Sequence, residues 1–140
     1  MAIWLYYYQL MLHILAICCG ASLGALARWR LGLWLSPGGA LPWGTLAANA
    51  IGAYVIGVSL ALLNHLPELD PAWRLALITG FLGALTTFSS FSAEAVALLQ
   101  QQRYALALGH TSLHLLGSLL LTWLGLQSVT VALVWSSGGR

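Results

Sequence analysis

The chain carries very little charge. Its 140 residues include no lysine, five arginines and three acidic residues, so charged side chains make up only 6%. Soluble domains carry charge on about a quarter of their residues, whereas 60% of this chain is hydrophobic and its mean hydropathy is +0.87. The composition excludes a soluble domain and predicts an integral membrane protein. A net charge of +2 also provides no basic surface for a nucleic acid.

Cysteine is equally scarce. The two that occur, Cys18 and Cys19, are adjacent inside an apolar run, which predicts membrane-buried thiols and no disulfide framework. A cleaved signal peptide is not expected, because Ile17 is bulky and no basic residue precedes it. The sequence contains no phosphate-binding loop and no recognisable nucleophile–base pair, so we expect neither ATP-driven transport nor an enzyme.

Four apolar segments are long enough to span a bilayer. They lie at about residues 10–32, 43–63, 73–99 and 104–126, and the second, at 1.5 Å per residue, is roughly 32 Å long. Short loops separate them, so we expect one membrane domain over residues 1–140, with a partly disordered tail at 127–140. The predicted fold class is an all-α integral membrane protein with four transmembrane helices.

The third segment contains an unusual polar cluster. Residues 86–92 read TTFSSFS, and two glycines, Gly80 and Gly83, precede them. Glycine and β-branched threonine are poor helix formers, which predicts a break near residues 83–87. Broken backbone at membrane depth survives only when it is buried in protein or lines a cavity, so hydroxyls or a bound cation must satisfy the freed carbonyls.

Aromatic and acidic side chains follow the break on one helix face. Phe88 and Phe91 are three residues apart, and Glu94 continues their stripe. The rings can serve packing alone, but their positive edges would attract an anion in a narrow passage, and their negative faces a cation. Glu94 is either a functional intramembrane acid or a residue near the membrane end that is hydrogen-bonded to hydroxyls.

Two further helices place polar side chains among apolar ones. Asn49 lies within the second segment, where its amide either joins two helices or donates to an anion. His110, His114 and Ser118 are four residues apart on the fourth segment. Two histidines at that spacing can bind a metal, but without an HExxH pattern or a cysteine pair the stripe favours a pore lining or a helix seam.

The arginines give almost no bias in orientation. Arg28, Arg30 and Arg103 fall on one side, and Arg74 and Arg140 on the other. Positive charge normally sets the cytoplasmic side. Such a balanced chain either inserts in both orientations, which would permit an antiparallel dimer, or takes one orientation from other determinants.

Three stretches together resemble one family. Residues 24–29 (GALARW) are similar to its GAxxRY signature, with tryptophan in place of tyrosine. Residues 44–52 (GTLAANAIG) are similar to its GTLxxNxxG signature, and residues 80–92 (GFLGALTTFSSFS) to its third-helix signature. This is the Fluc (CrcB) family of fluoride channels, and the resemblance covers about residues 20–100.

The resemblance implies a dual-topology antiparallel homodimer with two fluoride pores in a bacterial inner membrane. Phe88 and Phe91 would be the aromatic pore residues, and Asn49 an amide donor to fluoride. The backbone carbonyls of Gly83 and Thr86, from both subunits, would hold a structural sodium ion. The polar track would contain Thr45, Glu94, His110, His114 and Ser118, and Arg28 would lie toward a vestibule.

A different class of transporter also has four spans and dual topology. Small proton-coupled multidrug or cation transporters use a carboxylate, which such families place in the first span. The first span of this chain has no acidic residue, so the sequence favours passive export of fluoride over proton-coupled exchange.

Overall fold

The described residues fold into helices connected by short loops. The computed structural model describes residues 1–36, 38 and 42–137. The helices are α1 (Ala2–Leu35), α2 (Trp43–Asn64), α3 (Pro71–Arg74), a π-helix (Leu75–Leu82), α4 (Gly83–Leu85), α5 (Phe88–Gln100) and α6 (Tyr104–Ser137). They form four segments that are long and apolar enough to cross a membrane: Ile3–Leu35, Trp43–Asn64, Pro71–Gln100 and Tyr104–Trp135.

The outer two segments extend beyond the ranges predicted from the sequence. Helix α1 begins at Ala2, and α6 continues to Ser137. The part of the predicted tail that the structure describes, residues 127–137, is helical. Residues 129–135 are apolar apart from Thr130 and contain neither glycine nor proline. Residues 138–140, which include Arg140, lie outside the described part of the chain.

The third segment is assembled from several pieces. Asp70 starts it by accepting a hydrogen bond from Ala72 N at 2.8 Å, and Pro71 occupies the first helical turn, where its missing N–H costs nothing. The segment then widens into the π-helix, returns to α4 and is interrupted at Thr86 and Thr87, whose ψ angles of 153° and 116° are extended. The break predicted near residues 83–87 is present.

Small residues allow the segments to pack closely. Helix α1 lies along the π-helix and α4, and α2 lies along α6. A side chain at Gly20 would overlap the carbonyl oxygen of Ala76, and one at Gly57 would overlap that of Thr122. Close backbone approach of this kind is how helices associate when apolar burial provides no driving force. A cluster formed by Ala48, Leu82 and Leu85 fixes α2 against the third segment next to its break.

A polar cleft beside the broken helix

The break opens into a cleft with a volume of about 690 Å³ between α2, the third segment and α6. Hydrophobic side chains form most of its wall, and the polar groups in it come from α2, the break and α6. The residues of the cleft that the sequence singled out are Asn49, Gly83, Thr86, Phe88, Phe91, His114 and Ser118.

Asn49 replaces the hydrogen bonds that the break removes. Its Oδ1 accepts from Thr87 N at 2.7 Å, and its Nδ2 donates to Thr87 O at 3.1 Å. One amide therefore satisfies both backbone groups of an extended residue that would otherwise be left without a partner. The Thr87 hydroxyl then caps α5 by accepting from Ser90 N at 3.1 Å.

The carbonyls of Gly83 and Thr86 lose their usual helical donors at the same place. In a continuous helix they would accept from Thr87 N and Ser90 N, which here donate to Asn49 Oδ1 and to the Thr87 hydroxyl. Gly83 is exposed, and a side chain there would lie 3.7 Å from Ile78 O, an ordinary contact distance. The two carbonyls thus offer electron pairs at the surface of the chain, which fits a cation site.

Asn49 also determines which nitrogen of His114 carries the proton. The distance between Asn49 Nδ2 and His114 Nδ1 is 3.1 Å. Because Asn49 Oδ1 faces a backbone N–H, the group facing His114 is the NH₂, and Nδ1 must accept. A neutral His114 ring therefore carries its hydrogen on Nε2. That atom is buried and has no hydrogen-bond partner among residues 1–36, 38 and 42–137.

Aromatic rings form a continuous stack from the mouth of the cleft inward. The Phe88 and Phe91 centroids are 5.4 Å apart, and the Phe91 centroid is 4.7 Å from that of His114 and 5.6 Å from that of His110. Phe88 is 79% exposed, whereas Phe91 is half-buried. The stack leads from the surface of the chain to its two most deeply buried histidines.

A second polar cluster lies beyond the stack. Thr45 Oγ1 donates to Glu94 Oε1 at 2.6 Å, and the other carboxylate oxygen, Oε2, is 3.4 Å from His110 Nε2. The latter pair is close enough for an ionic contact, but it lacks the alignment of a hydrogen bond. Glu94, which the sequence placed on a stripe with the phenylalanines and the family resemblance on a track with Thr45 and His110, therefore joins α2, α5 and α6.

Ser118 and Arg28 occupy different places. Ser118 lines the cleft one turn beyond His114, whereas Arg28 lies half-buried on α1 and does not line it. Thr87 is the residue that sequence reasoning missed. Its signal was a hydroxyl three positions before Ser90, at the point where glycine and threonine predict the break, which is the pattern of a helix cap.

Comparison with known proteins agrees with this architecture. Residues 15–126 match the family described as CrcB-like protein, Camphor Resistance (CrcB). A protein of Albidiferax ferrireducens named fluoride-specific ion channel FluC is 65% identical over 129 residues, covering 92% of this chain and 99% of the relative. Proteins of the same name from Variovorax paradoxus and Paracidovorax citrulli are 63% identical over 120 residues and 59% identical over 126 residues. These matches cover 86% and 90% of this chain, and 96% and 98% of the relatives. The chain with this broken third segment and polar cleft belongs to the CrcB family.

Proposed function

We propose that this chain is a fluoride-selective ion channel that passes fluoride passively out of a bacterial cell across the inner membrane. The observation that carries the proposal is the cleft itself, in which a buried hydrogen-bond donor and a stack of aromatic rings lie together beside a broken helix. The family and the names of its relatives support the same function. The chain would carry an ion and would not act as an enzyme.

The donors in the cleft match the cost of dehydrating fluoride. Transfer of an isolated anion from water into a low-dielectric medium costs tens of kcal/mol of free energy. A pore must therefore replace the hydration shell of fluoride without binding the ion too tightly. Both amide hydrogens of Asn49 face protein acceptors, Thr87 O and His114 Nδ1. Asn49 would therefore act by presenting His114 Nε2–H to the ion and by turning one of its own hydrogens to fluoride as it passes.

The rings and hydroxyls would extend this path. The edge of an aromatic ring is electropositive, so the edges of Phe88 and Phe91 can face fluoride between the surface and His114. Ser118 and Thr45 provide hydroxyls on either side of that point. Each contact is weaker than a full charge pair, which allows the ion to leave as readily as it enters.

We further propose that two copies assemble as an antiparallel dimer. The cleft is open on the surface of a single copy, and Phe88 and Gly83 are exposed beside it. Polar groups at membrane depth need cover from protein, which a second copy would provide. Arg28, Arg30 and Arg103 on one side against Arg74 on the other give little orientation bias, in keeping with insertion in both directions.

A sodium ion would fit between the two copies. The Gly83 and Thr86 carbonyls have lost their helical donors beside the exposed Gly83, and hard cations prefer oxygen ligands of this kind. When bound, the ion would supply positive charge that joins the two breaks. The break itself is stabilised by residues of this chain, because Asn49 holds Thr87 extended and Thr87 caps α5.

The assembly can be tested on the purified protein and in cells. We expect a dimer by light scattering, with a melting temperature that is lower when N-methylglucamine replaces sodium. A cysteine at Gln101, introduced after Cys18 and Cys19 are changed to alanine, should be modified by a membrane-impermeant reagent in about half of the molecules, because insertion is balanced. A monomeric protein would contradict the dimer, and a melting temperature unaffected by sodium would contradict the sodium site. Complete modification from one side would contradict insertion in both orientations.

The flux experiment separates the channel from the proton-coupled alternative. Protein in liposomes loaded with potassium fluoride should release fluoride when valinomycin is added, with no proton gradient, and should retain chloride under the same conditions. Chloride is larger than fluoride and would fit a narrow passage poorly. A fluoride electrode measures the release. Release of both halides at similar rates, or release that requires a proton gradient, would refute a passive fluoride-selective pore.

A further inference from the structure

Three potential metal ligands converge beside the cleft, and one of them, His114, lines its wall. Glu94, His110 and His114 each place one ligand atom within 4.8 Å of the other two. The histidines are four residues apart on α6, and the carboxylate reaches them from α5. The sequence showed the histidine pair, and the family resemblance implied a polar track that also includes Glu94, but neither indicated that the carboxylate comes within 3.4 Å of His110.

Each residue of this cluster has a buried polar atom that lacks a hydrogen-bond partner. Glu94 Oε2, His110 Nε2 and His114 Nε2 are all buried, and none has a hydrogen bond to any described residue. The two histidines are each only 5% exposed. Buried polar groups are almost always paired, so unpaired atoms on three residues whose ligand atoms lie within 4.8 Å of one another indicate a site for a shared ligand.

The spacing suits a small tetrahedral metal ion. Ligands about 2.0–2.2 Å from zinc stand about 3.4 Å apart at tetrahedral angles. Glu94 Oε2 and His110 Nε2 are 3.4 Å apart. Two histidines at i and i+4 on one helix face are a known zinc-binding arrangement, and their ring centroids here are 4.5 Å apart.

The environment holds the carboxylate ready for an ion. The Thr45 hydroxyl donates to Glu94 Oε1 and leaves Oε2 next to His110 Nε2. Hydrogen bonds to the far side of a ligand orient it and are common around metal sites. Two imidazoles and one carboxylate favour a transition metal such as zinc or cobalt over magnesium or calcium, which prefer all-oxygen sites.

We propose that Glu94, His110 and His114 bind a divalent transition metal of the zinc class, and that an ion bound there closes the polar path. Metal binding at this site is independent of the transport activity, whereas closure of the path by the metal rests on the proposed channel function. The metal would occupy the place where polar side chains replace the hydration shell of fluoride, and would hold that anion or a water in its fourth position.

The three ligands would not contribute equally. Asn49 donates to His114 Nδ1, so neutral His114 carries its hydrogen on Nε2 and must lose it before that atom can bind a metal. Neither His110 nor Glu94 carries this restriction in the described contacts. We therefore infer that His110 and Glu94 are the principal ligands and that His114 completes the site at the expense of its contact with Asn49.

Binding is tested on the full-length protein, purified in detergent with an affinity tag that contains no histidine. Titration with Co²⁺ should give visible absorption bands of a tetrahedral complex at one ion per chain, and Zn²⁺ should displace it. His110→Gln should weaken binding at least about tenfold, and His114→Gln should weaken it less. His65→Gln, at an exposed histidine after α2, is the matched control and should bind normally.

Flux measurements test separately whether a bound metal closes the polar path. Zn²⁺, but not Mg²⁺, should stop fluoride release from liposomes by the unmodified protein and by His65→Gln, and His110→Gln should need at least about tenfold more Zn²⁺ relative to its own metal-free rate. Co²⁺ binding without block would overturn the closing of the path. An absence of saturable Co²⁺ binding, or equal binding by His110→Gln, would overturn the site. A protein that binds Co²⁺ yet releases no fluoride even without metal would refute the proposed channel instead.

Discussion

Replacement of Asn49 by leucine should lower fluoride flux about a hundredfold or more. Leucine has a similar volume but makes none of the three hydrogen bonds that Asn49 forms with Thr87 N, Thr87 O and His114 Nδ1. A hydrogen bond to a charged group contributes about 1.5–3 kcal/mol. A barrier that rises by about 3 kcal/mol slows passage about a hundredfold. Fluoride release from liposomes, normalised to the amount of folded protein, measures the effect.

A second variant and a matched control identify the cause. Asn49→Asp keeps an acceptor for Thr87 N but directs a carboxylate oxygen at Thr87 O and His114 Nδ1, and it adds negative charge where an anion must pass. Fluoride flux through Asn49→Asp should also be lost. Because this variant keeps the acceptor oxygen, the loss would show that flux depends on the amide donors of Asn49. Asn64→Leu makes the same change at the exposed end of α2 and should conduct normally. Flux retained in Asn49→Leu would remove the amide from the mechanism.

The pairing of Asn49 with Thr87 shows what the sequence could and could not predict. Composition and segment length were sufficient to predict four helical spans, because each span depends on about 20 consecutive apolar residues. Local glycines and threonines were sufficient to predict the break. The partner that satisfies the break lies 38 residues away, and no local pattern specifies such a contact.

The π-helix at Leu75–Leu82 was not predicted for a related reason. Its residues are apolar apart from Thr79, so their pattern does not distinguish a π-helix from an ordinary one. The wider turn lies where α1 approaches closely, with Gly20 against Ala76 O and Gly80 against Ile17 O. Its position therefore depends on tertiary packing, which the sequence of the segment alone does not contain.

The pattern of residues in the third segment could not predict the contacts of Glu94 either, although the family resemblance implied a polar track that it shares with Thr45 and His110. Helical spacing placed it correctly on the side of α5 that carries Phe88 and Phe91, but its contacts are Thr45 on α2 and His110 on α6. Spacing within one helix gives a face, whereas the identity of the residues across that face depends on how neighbouring helices rotate about their axes.

Substitution of the phenylalanines should have the second large effect on fluoride flux, and one of the three provides a control within the same chain. The chain contains only three phenylalanines. Phe88 and Phe91 line the cleft, whereas Phe81 packs on the opposite side, against the cluster of Ala48, Leu82 and Leu85. One substitution, phenylalanine to isoleucine, can therefore be made at all three positions, so that the chemical change is constant and only the location differs.

Phe91→Ile should reduce fluoride flux about tenfold or more, while the protein stays folded and dimeric. The Phe91 ring touches Phe88, His110 and His114, so isoleucine removes both an electropositive edge and the surface that orients the two imidazoles. Aromatic contacts contribute about 0.5–1.5 kcal/mol each, and about 1.4 kcal/mol corresponds to a factor of ten. Phe88→Ile should have a smaller effect, because that ring is exposed at the mouth and touches only one of the others. Phe81→Ile should conduct normally once flux is normalised to folded protein.

If all three variants conduct alike, the rings only fill space and the path for fluoride lies elsewhere. If Phe91→Ile alone loses flux, the narrow point of the path lies between Phe91 and His114.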